Sequence, residues 1–572
     1  MIEITRRKFV GTLMAATALS SAGKAFAATG PRKRPNVITV VLDDVGYSDI
    51  GCYGSEIRTP NMDRLAEGGL RFVHFDTKAV CASTRAAFLT GRNSHTINMP
   101  DVPDIAAALP PAQTKGLFSI PRNARNIAEV LGADGYETWA LGKWHLIPNA
   151  ELDEHGGRSN WPLQRGFKYF YGFPRGWTDQ YNPTLVEGND YIHPELPEDY
   201  HLSADLADKA IGLIGKHRES GSSAPFYLNL AFGAAHAPIQ VPREYSKPYD
   251  EVYAKGWDAI REQRHKRMLA MGVIPEDTKL TPRSDEDRAW ADLSDAEKTV
   301  FARYMAVYAG FLEHCDQQLG RVLDFLEAQG LAEDTLIVLF SDNGAASEAG
   351  QTGNFDQLYR PSAIPVEEQL RRIDDIGTPR TQAEYPRPWA LAGDTPLRRY
   401  KLWPYSGGTR TPMIVRWPGH VDNPGGVRRQ YVDCIDIAPT VIAAAGARFE
   451  PVIDGVAQIP VAGRSFLPML TDASAEGRKV QYFELRGNRA ITDGRWRAVT
   501  THDCDQPSFA NDEWQLFDLD TDFSEAANLA AKEPKRLKAM QALWQSEWDK
   551  YGNGPLTAPG SMLCKFTRGL PI

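Results

Sequence analysis

The run Asn36–Leu42 (NVITVVL) has no charged residue, five β-branched side chains, and Asp43 and Asp44 directly after it. A short apolar run bounded by polar residues reads as a strand buried on both faces. Working outward, Phe226–Phe232 (FYLNLAF), Thr335–Ser341 (TLIVLFS) and Pro412–Trp417 (PMIVRW) read the same way, and Thr138–Leu141 (TWAL) is a shorter case. Helical patterns alternate with them at Met62–Gly68, Asn126–Ala133, Ser203–Lys216, Asp295–Gln329 and Ile435–Ala445. This alternation predicts an α/β fold, with a large, mostly parallel mixed sheet sandwiched by helices.

After about Phe466 the pattern changes. Val480–Leu485, Asn488–Thr492, Trp496–Thr500 and Trp514–Leu519 read as short strands joined by tight turns such as Asp493-Gly494, and Pro534–Tyr551 reads as a helix. We therefore expect a main domain over 34–465 and a smaller C-terminal antiparallel sheet plus helix over 466–572. Irregular stretches at Asp101–Pro121, Val241–Asp295 and Ala345–Arg398 are long enough to be functional walls or lids.

The 572 residues are 42% hydrophobic, which excludes a disordered chain. A net charge of −9 argues against a nucleic-acid binder that depends on general positive charge. Six cysteines are too few for a disulfide scaffold. No apolar run reaches the roughly 18 residues of a membrane-spanning helix. Residues 1–27 have the layout of a signal peptide: Arg6-Arg7-Lys8, an apolar centre, and Ala25-Phe26-Ala27 at the cleavage end. The paired arginines before Phe9 match a twin-arginine signal, so export to the periplasm is expected.

In open α/β sheets, ligands bind beyond the carboxyl ends of the strands. Asp43 and Asp44 follow the first strand, Lys143 and His145 the second, His236 the third, and Asp342 and Asn343 the fourth. Taken singly, each is commonplace; four strand ends delivering such residues to one edge predict a site. Asp43, Asp44, Asp342 and Asn343 offer only oxygen donors, a set suited to a hard cation such as calcium. Lys143 and Arg85 are available to balance the excess negative charge.

The segment Cys81–Arg92 (CASTRAAFLTGR) adds a second signal. Ser83 or Thr84 can cap a helix running to Thr90, with Gly91 ending it. Cys81 then lies at a helix N-terminus, where backbone amides favour an anion, and Arg85 can point back towards it. Cys52, Cys315, Cys434 and Cys564 read as small buried side chains, and Cys504 is left open.

These residues resemble the type I, formylglycine-dependent sulfatases of the alkaline phosphatase superfamily, bacterial arylsulfatases in particular. Cys81–Arg92 is similar to the family's C-x-P-[ST]-R signature, Gly142-Lys143-Trp144-His145 to its G-K-W-H motif, and Ser341–Gly344 to its second metal segment. Pro35 to Tyr47, Pro225 to Pro238 and Tyr400 to Arg410 match further segments in the same order, and the likeness covers about residues 34 to 550. The resemblance implies one Ca2+ held by Asp43, Asp44, Asp342, Asn343 and the modified Cys81. It implies that a maturation enzyme converts Cys81 to Cα-formylglycine, whose hydrated gem-diol attacks the sulfur of a small-molecule sulfate ester. By the same likeness, Arg85 fixes the diol and His145 orients or deprotonates it. Lys143 and Lys401 hold sulfate oxygens, and His236 protonates the leaving oxygen.

Two positions depart from the family pattern. Ser83 stands where Pro or Ala is usual, which should lower the yield of conversion, and Ser406 stands where Glu often precedes Gly-Gly, which would remove a charge near Lys401. The alternatives to a sulfatase are a phosphodiester or phosphonate monoester hydrolase of the same superfamily, or a non-catalytic binder of sulfated ligands if Cys81 stays a thiol. Trp177, Tyr181 and Tyr359 could line an aromatic pocket, packing being the commoner role for each.

Overall fold

The computed structural model describes residues 34–556 apart from 109–115, 154, 360 and 507, together with 563, 564 and 567. The expected signal peptide lies outside the described residues.

Ten strands form one mixed sheet: β1 (Asn36–Leu42), β2 (Leu70–Phe72), β3 (Glu137–Lys143), β4 (Tyr169–Phe173), β5 (Leu185–Glu187), β6 (Asp190–Ile192), β7 (Phe226–Ala231), β8 (Thr335–Ser341), β9 (Met413–Arg416) and β10 (Gly426–Arg428). Their order is β10-β2-β9-β8-β1-β7-β3-β4-β5-β6. The central strands β8, β1, β7, β3 and β4 run parallel. β9 is antiparallel to β8 and to β2, so the sheet is mixed rather than purely parallel. Successive side chains of a strand point to opposite faces. Ile38, Val40 and Leu42 accordingly enter one apolar cluster, while Val37 and Val41 enter another on the far side.

Helices cover both faces. α1 (Cys81–Thr90) packs with the second cluster, α2 (Leu202–Glu219) and α3 (Asp295–Ala328) with the first. The 34-residue α3 begins in a capping box, in which Ser294 and Glu297 each accept the other's backbone amide.

The small sheet consists of β11 (Gln481–Leu485), β12 (Asn488–Thr492), β13 (Trp496–Thr500) and β14 (Trp514–Asp518), paired antiparallel in sequence order. One face, with Tyr482, Ile491, Ala498 and Leu516, packs on Met540, Trp544 and Trp548 of α4 (Pro534–Tyr551). The other, with Phe483, Ala490, Val499 and Phe517, joins the first apolar cluster of the large sheet. A wholly buried ion pair crosses the same junction, Asp76 with Arg497 at 3.0 Å; Arg410 backs Asp76 at 3.3 Å from the large-sheet side, and Glu525 backs Arg497 at 3.0 Å from the C-terminal side.

Three expectations need correction. Val241–Asp295 and Ala345–Arg398 are not irregular throughout: Arg243–Ser246, Asp250–Tyr253 and Trp257–Ala270 are helical in the first, Val366–Arg371 and Arg387–Gly393 in the second. α1 starts at Cys81 with extended Val80 before it, and neither Ser83 nor Thr84 caps it; Thr84 Oγ1 instead accepts the Lys78 amide at 2.9 Å. Cys564 is not a buried thiol but is bonded to Cys504.

Candidate active site

The register of β1 on β8 sets Leu42 opposite Ser341, and that of β1 on β7 sets Val41 opposite Ala231. Whatever follows those residues must meet at one edge. There Asp43, Asp44, Asp342 and Asn343 are buried together, each at most 1% exposed. Asn343 Nδ2 donates to Asp44 Oδ1 at 2.7 Å, and the Asp44 amide reaches Asp342 Oδ1 at 3.4 Å. Asn343 Oδ1 is buried with no partner among the described residues.

Three cations balance three carboxylates. Lys143, the last residue of β3, lies 2.7 Å from Asp43 Oδ2. Lys401 lies 2.9 Å from Asp44 Oδ2. Arg85, one turn into α1, lies 2.7 Å from Asp342 Oδ2 and 3.7 Å from Asp43 Oδ1. Burial raises the pKa of Asp43, with Lys143 and Arg85 opposing, and burial likewise raises that of Asp342. Asp44 is lowered: burial opposes this, but Lys401 and His236 outweigh it.

Cys81 Sγ sits 3.2 Å from His145 Nδ1, and His145 Nε2 sits 2.6 Å from Asp104 Oδ2. Burial works against a charged His145, yet Cys81 and Asp104 together raise its pKa to about 9. His236 Nδ1 lies 2.6 Å from its neighbour's carbonyl at Ala237. Its Nε2 therefore faces Tyr359 Oη at 3.3 Å and Asp44 Oδ2 at 3.6 Å, and burial lowers its pKa to about 4.

The sequence-derived candidates thus lie together, and Arg85 and Lys143 pair with Asp342 and Asp43, the charge balance expected of them. Ser406 was expected to strip a charge from Lys401. Its hydroxyl and amide instead donate to Glu525 at 2.6 and 3.0 Å, and Lys401 finds a second carboxylate in Glu348 at 2.7 Å.

A cavity of about 490 Å³ opens over Cys81, His145, His236 and Lys401. Val102, Asp104 and Ile105 reach it from the stretch predicted as a wall at Asp101–Pro121; Glu348, Gln357, Leu358 and Tyr359 reach it from Ala345–Arg398. Trp177 also lines it, so Trp177 and Tyr359 are pocket residues, whereas Tyr181 packs edge-on against His201. Sequence reasoning missed Asp104, Glu348, Arg486 and Leu563. No spacing or composition marks them, because each reaches the site from a loop or from the far end of the chain.

Comparison with known proteins places the chain in a family. The sulfatase family profile matches residues 35–447, and one described as N-sulphoglucosamine sulphohydrolase, C-terminal, matches 399–549. An arylsulfatase of Klebsiella aerogenes is 29% identical over 83% of this chain and 99% of its own length. An uncharacterised sulfatase of Schizosaccharomyces pombe is 29% identical over 91% of this chain and 94% of its own. The crystal structure of Ps i-CgsB superposes with a TM-score of 0.62 at 22% identity, covering 94% of this chain and 97% of that one, a likeness of fold. Among the described residues no helix is long and apolar enough to cross a membrane. With the sulfatase family profile spanning most of its length and an arylsulfatase among its relatives, the chain belongs to the sulfatase family and is a sulfuric ester hydrolase.

Proposed function

We propose that the chain hydrolyses aryl-type sulfate monoesters, releasing inorganic sulfate and a phenol or alcohol, with residue 81 as formylglycine. The observation that carries this reading is the placement of Cys81 at a helix N-terminus, 3.2 Å from His145, on the floor of the cavity that His236 and Lys401 also line. The arylsulfatase likeness supports the substrate class.

The buried set Asp43, Asp44, Asp342 and Asn343 fits a calcium ion. Its donors are oxygens, and the orphaned Asn343 Oδ1 needs a partner. Donor atoms of Asp43, Asp44 and His236 lie within 4.8 Å of one another; the histidine nitrogen is the donor a hard cation takes least readily. When bound, the ion would offset negative charge on the sulfate oxygens. The formyl group, hydrated, would supply a hydroxyl nucleophile and a second hydroxyl for release of sulfate.

The remaining roles belong to side chains of the chain itself. Arg85 holds Asp342 and faces residue 81. His145, held by Asp104, orients the nucleophile or deprotonates it: with residue 81 as formylglycine the Cys81 charge that raises its pKa is gone, which frees Nδ1 to accept a proton. Lys143 and Lys401 turn from their carboxylates towards the sulfate oxygens, and His236, neutral at rest with its proton on Nδ1 at the Ala237 carbonyl, takes up a second proton at Nε2 as the anionic ester binds and delivers it to the leaving oxygen.

In this reading, residues 34–465 form the catalytic domain and 466–572 a C-terminal subdomain. The chain is exported to the periplasm by a twin-arginine signal, after a formylglycine-generating enzyme has acted on Cys81. The test is turnover of matched aryl sulfate, phosphodiester and phosphonate monoesters. The proposal expects kcat/KM to be highest for the sulfate; a preference for either phosphorus ester would assign the chain to the other branch of the superfamily.

A further inference from the structure

The cavity over Cys81 is walled in part by Arg486 and by Leu563, from late in the sequence. The tip of the β11–β12 hairpin reaches it: Leu485 clusters with Val80, Cys81 and Leu402, and Arg486 lines the cavity beside Leu563. Leu563 is 8% exposed and directly precedes Cys564, whose disulfide to Cys504 ties this segment to the loop after β13, 60 residues earlier. Arg486 grips the same corner. Its Nε and Nη2 donate to Asp101 at 2.6 and 3.0 Å, and its Nη1 to Thr567 Oγ1 at 3.2 Å. Asp101 opens the stretch that brings Val102, Asp104 and Ile105 to the cavity, and Asp104 bonds His145. One arginine therefore joins the hairpin, the Asp104 loop and the C-terminal segment.

The cavity is divided chemically. Cys81, His145, His236 and Lys401 make a polar group where the sulfate belongs, while Val102, Ile105, Trp177, Leu358 and Leu563 offer apolar surface to the rest of the ester. The geometry points to Leu563, pinned by the Cys504–Cys564 disulfide and by Arg486, as a specificity-determining residue that limits the size of the leaving group. A covalent bridge matters here because it ties Cys564, and with it Leu563, to Cys504 more firmly than non-covalent contacts do. Leu563→Ala shortens the wall. Loss of the disulfide releases it.

The inference rests on the aryl-sulfate reading above, and its test uses two phenolic esters of different bulk, 4-nitrophenyl sulfate and estrone sulfate. kcat and KM are measured for the wild-type protein, for Leu563→Ala, for the double variant Cys504→Ser/Cys564→Ser, and for wild type reduced with a phosphine. Reduction of the folded protein guards against a serine variant that fails to fold. Small changes in an apolar pocket are worth about 10- to 200-fold in discrimination. The expected result is a rise of about tenfold or more in the estrone-to-nitrophenyl ratio of kcat/KM, carried by KM, in Leu563→Ala and in the protein lacking the disulfide. An unchanged ratio, or equal losses on both esters, in an enzyme whose wild type is active would overturn the wall alone. A wild type that turned over neither ester would overturn the aryl-sulfate reading and this inference with it.

Discussion

His236 has a single nitrogen to spend on chemistry. Nδ1 lies 2.6 Å from the Ala237 carbonyl, so it carries a proton there, and Nε2 is the atom turned to Tyr359 and Asp44. A general acid contributes about 10²- to 10⁴-fold, and most where the leaving group is poor. His236→Ala should therefore cost phenyl sulfate turnover a factor in that range and nitrophenyl sulfate turnover far less. An equal loss on both would give His236 a binding role. Asp342 can be tested separately from the chemistry. Asp342→Ala removes one oxygen donor and leaves Arg85 without its 2.7 Å partner, so bound calcium, read by atomic emission on the purified protein, should fall together with turnover. A variant that kept its calcium would remove Asp342 from the metal set. At this scale the sequence was most informative where residues follow strands, because strand pairing alone brings Asp43 and Asp342 together. It was silent on Asp104 and Glu348, whose positions depend on how loops fold back.

Helix α1 turns a local departure from the family pattern into a measurable effect. Ser83 is its third residue, where the amide has no acceptor within the helix. Its hydroxyl is buried without a partner among the described residues. Proline is tolerated in a first turn because no helical hydrogen bond is lost. Ser83→Pro should therefore fold normally and raise the fraction of residue 81 present as formylglycine; an unchanged fraction would show that Ser83 does not limit conversion. Strands and helices also differ in how readily they were read. β1 and β8 are apolar throughout because both faces are covered, and their bounds were legible to the residue. Trp257–Ala270 was not, because two of its inward residues are arginines. Arg264 is buried against Asp49 and Glu56, and Arg261 donates to Thr281, so the apolar stripe of Trp257, Ile260 and Met268 is interrupted on the buried face. The Cys504–Cys564 bridge was equally hidden, since spacing does not fix cysteine pairing.

For the whole molecule, acid stability follows from a pair of buried histidines far from any catalytic role. The His201 and His314 rings lie 4.2 Å apart. His201 accepts the Ser203 amide at Nδ1 and donates from Nε2 to the Gln240 carbonyl, which fixes it as the neutral form. Burial lowers its pKa to about 4, against Asp179, and lowers that of His314 to about 2, with His201 and Arg321 adding to the effect. Unfolded, both rings take a proton near pH 6.5. Their contribution is thus fully present above that pH and is lost as pH falls, towards 4 for His201 and towards 2 for His314, at a slope of up to about 1.4 kcal/mol per pH unit for each ring. Urea midpoints should drop between pH 7 and pH 5, and less steeply in His314→Gln; an identical slope in that variant would place the sensitivity elsewhere. The small sheet shares its core with the large one through Phe483 and Phe517, so a single cooperative transition is expected.

The account as a whole stands on residue 81. Everything at the sheet edge is arranged around it: a helix N-terminus, His145 at 3.2 Å, and Arg85 held one turn away. The most direct test is the mass of the tryptic peptide spanning residues 79–85 from purified, active protein. The account predicts a peptide in which the cysteine thiol has been replaced by the aldehyde of formylglycine, in proportion to specific activity across preparations. A peptide carrying only the thiol, from protein that turns over sulfate esters at full rate, would contradict it.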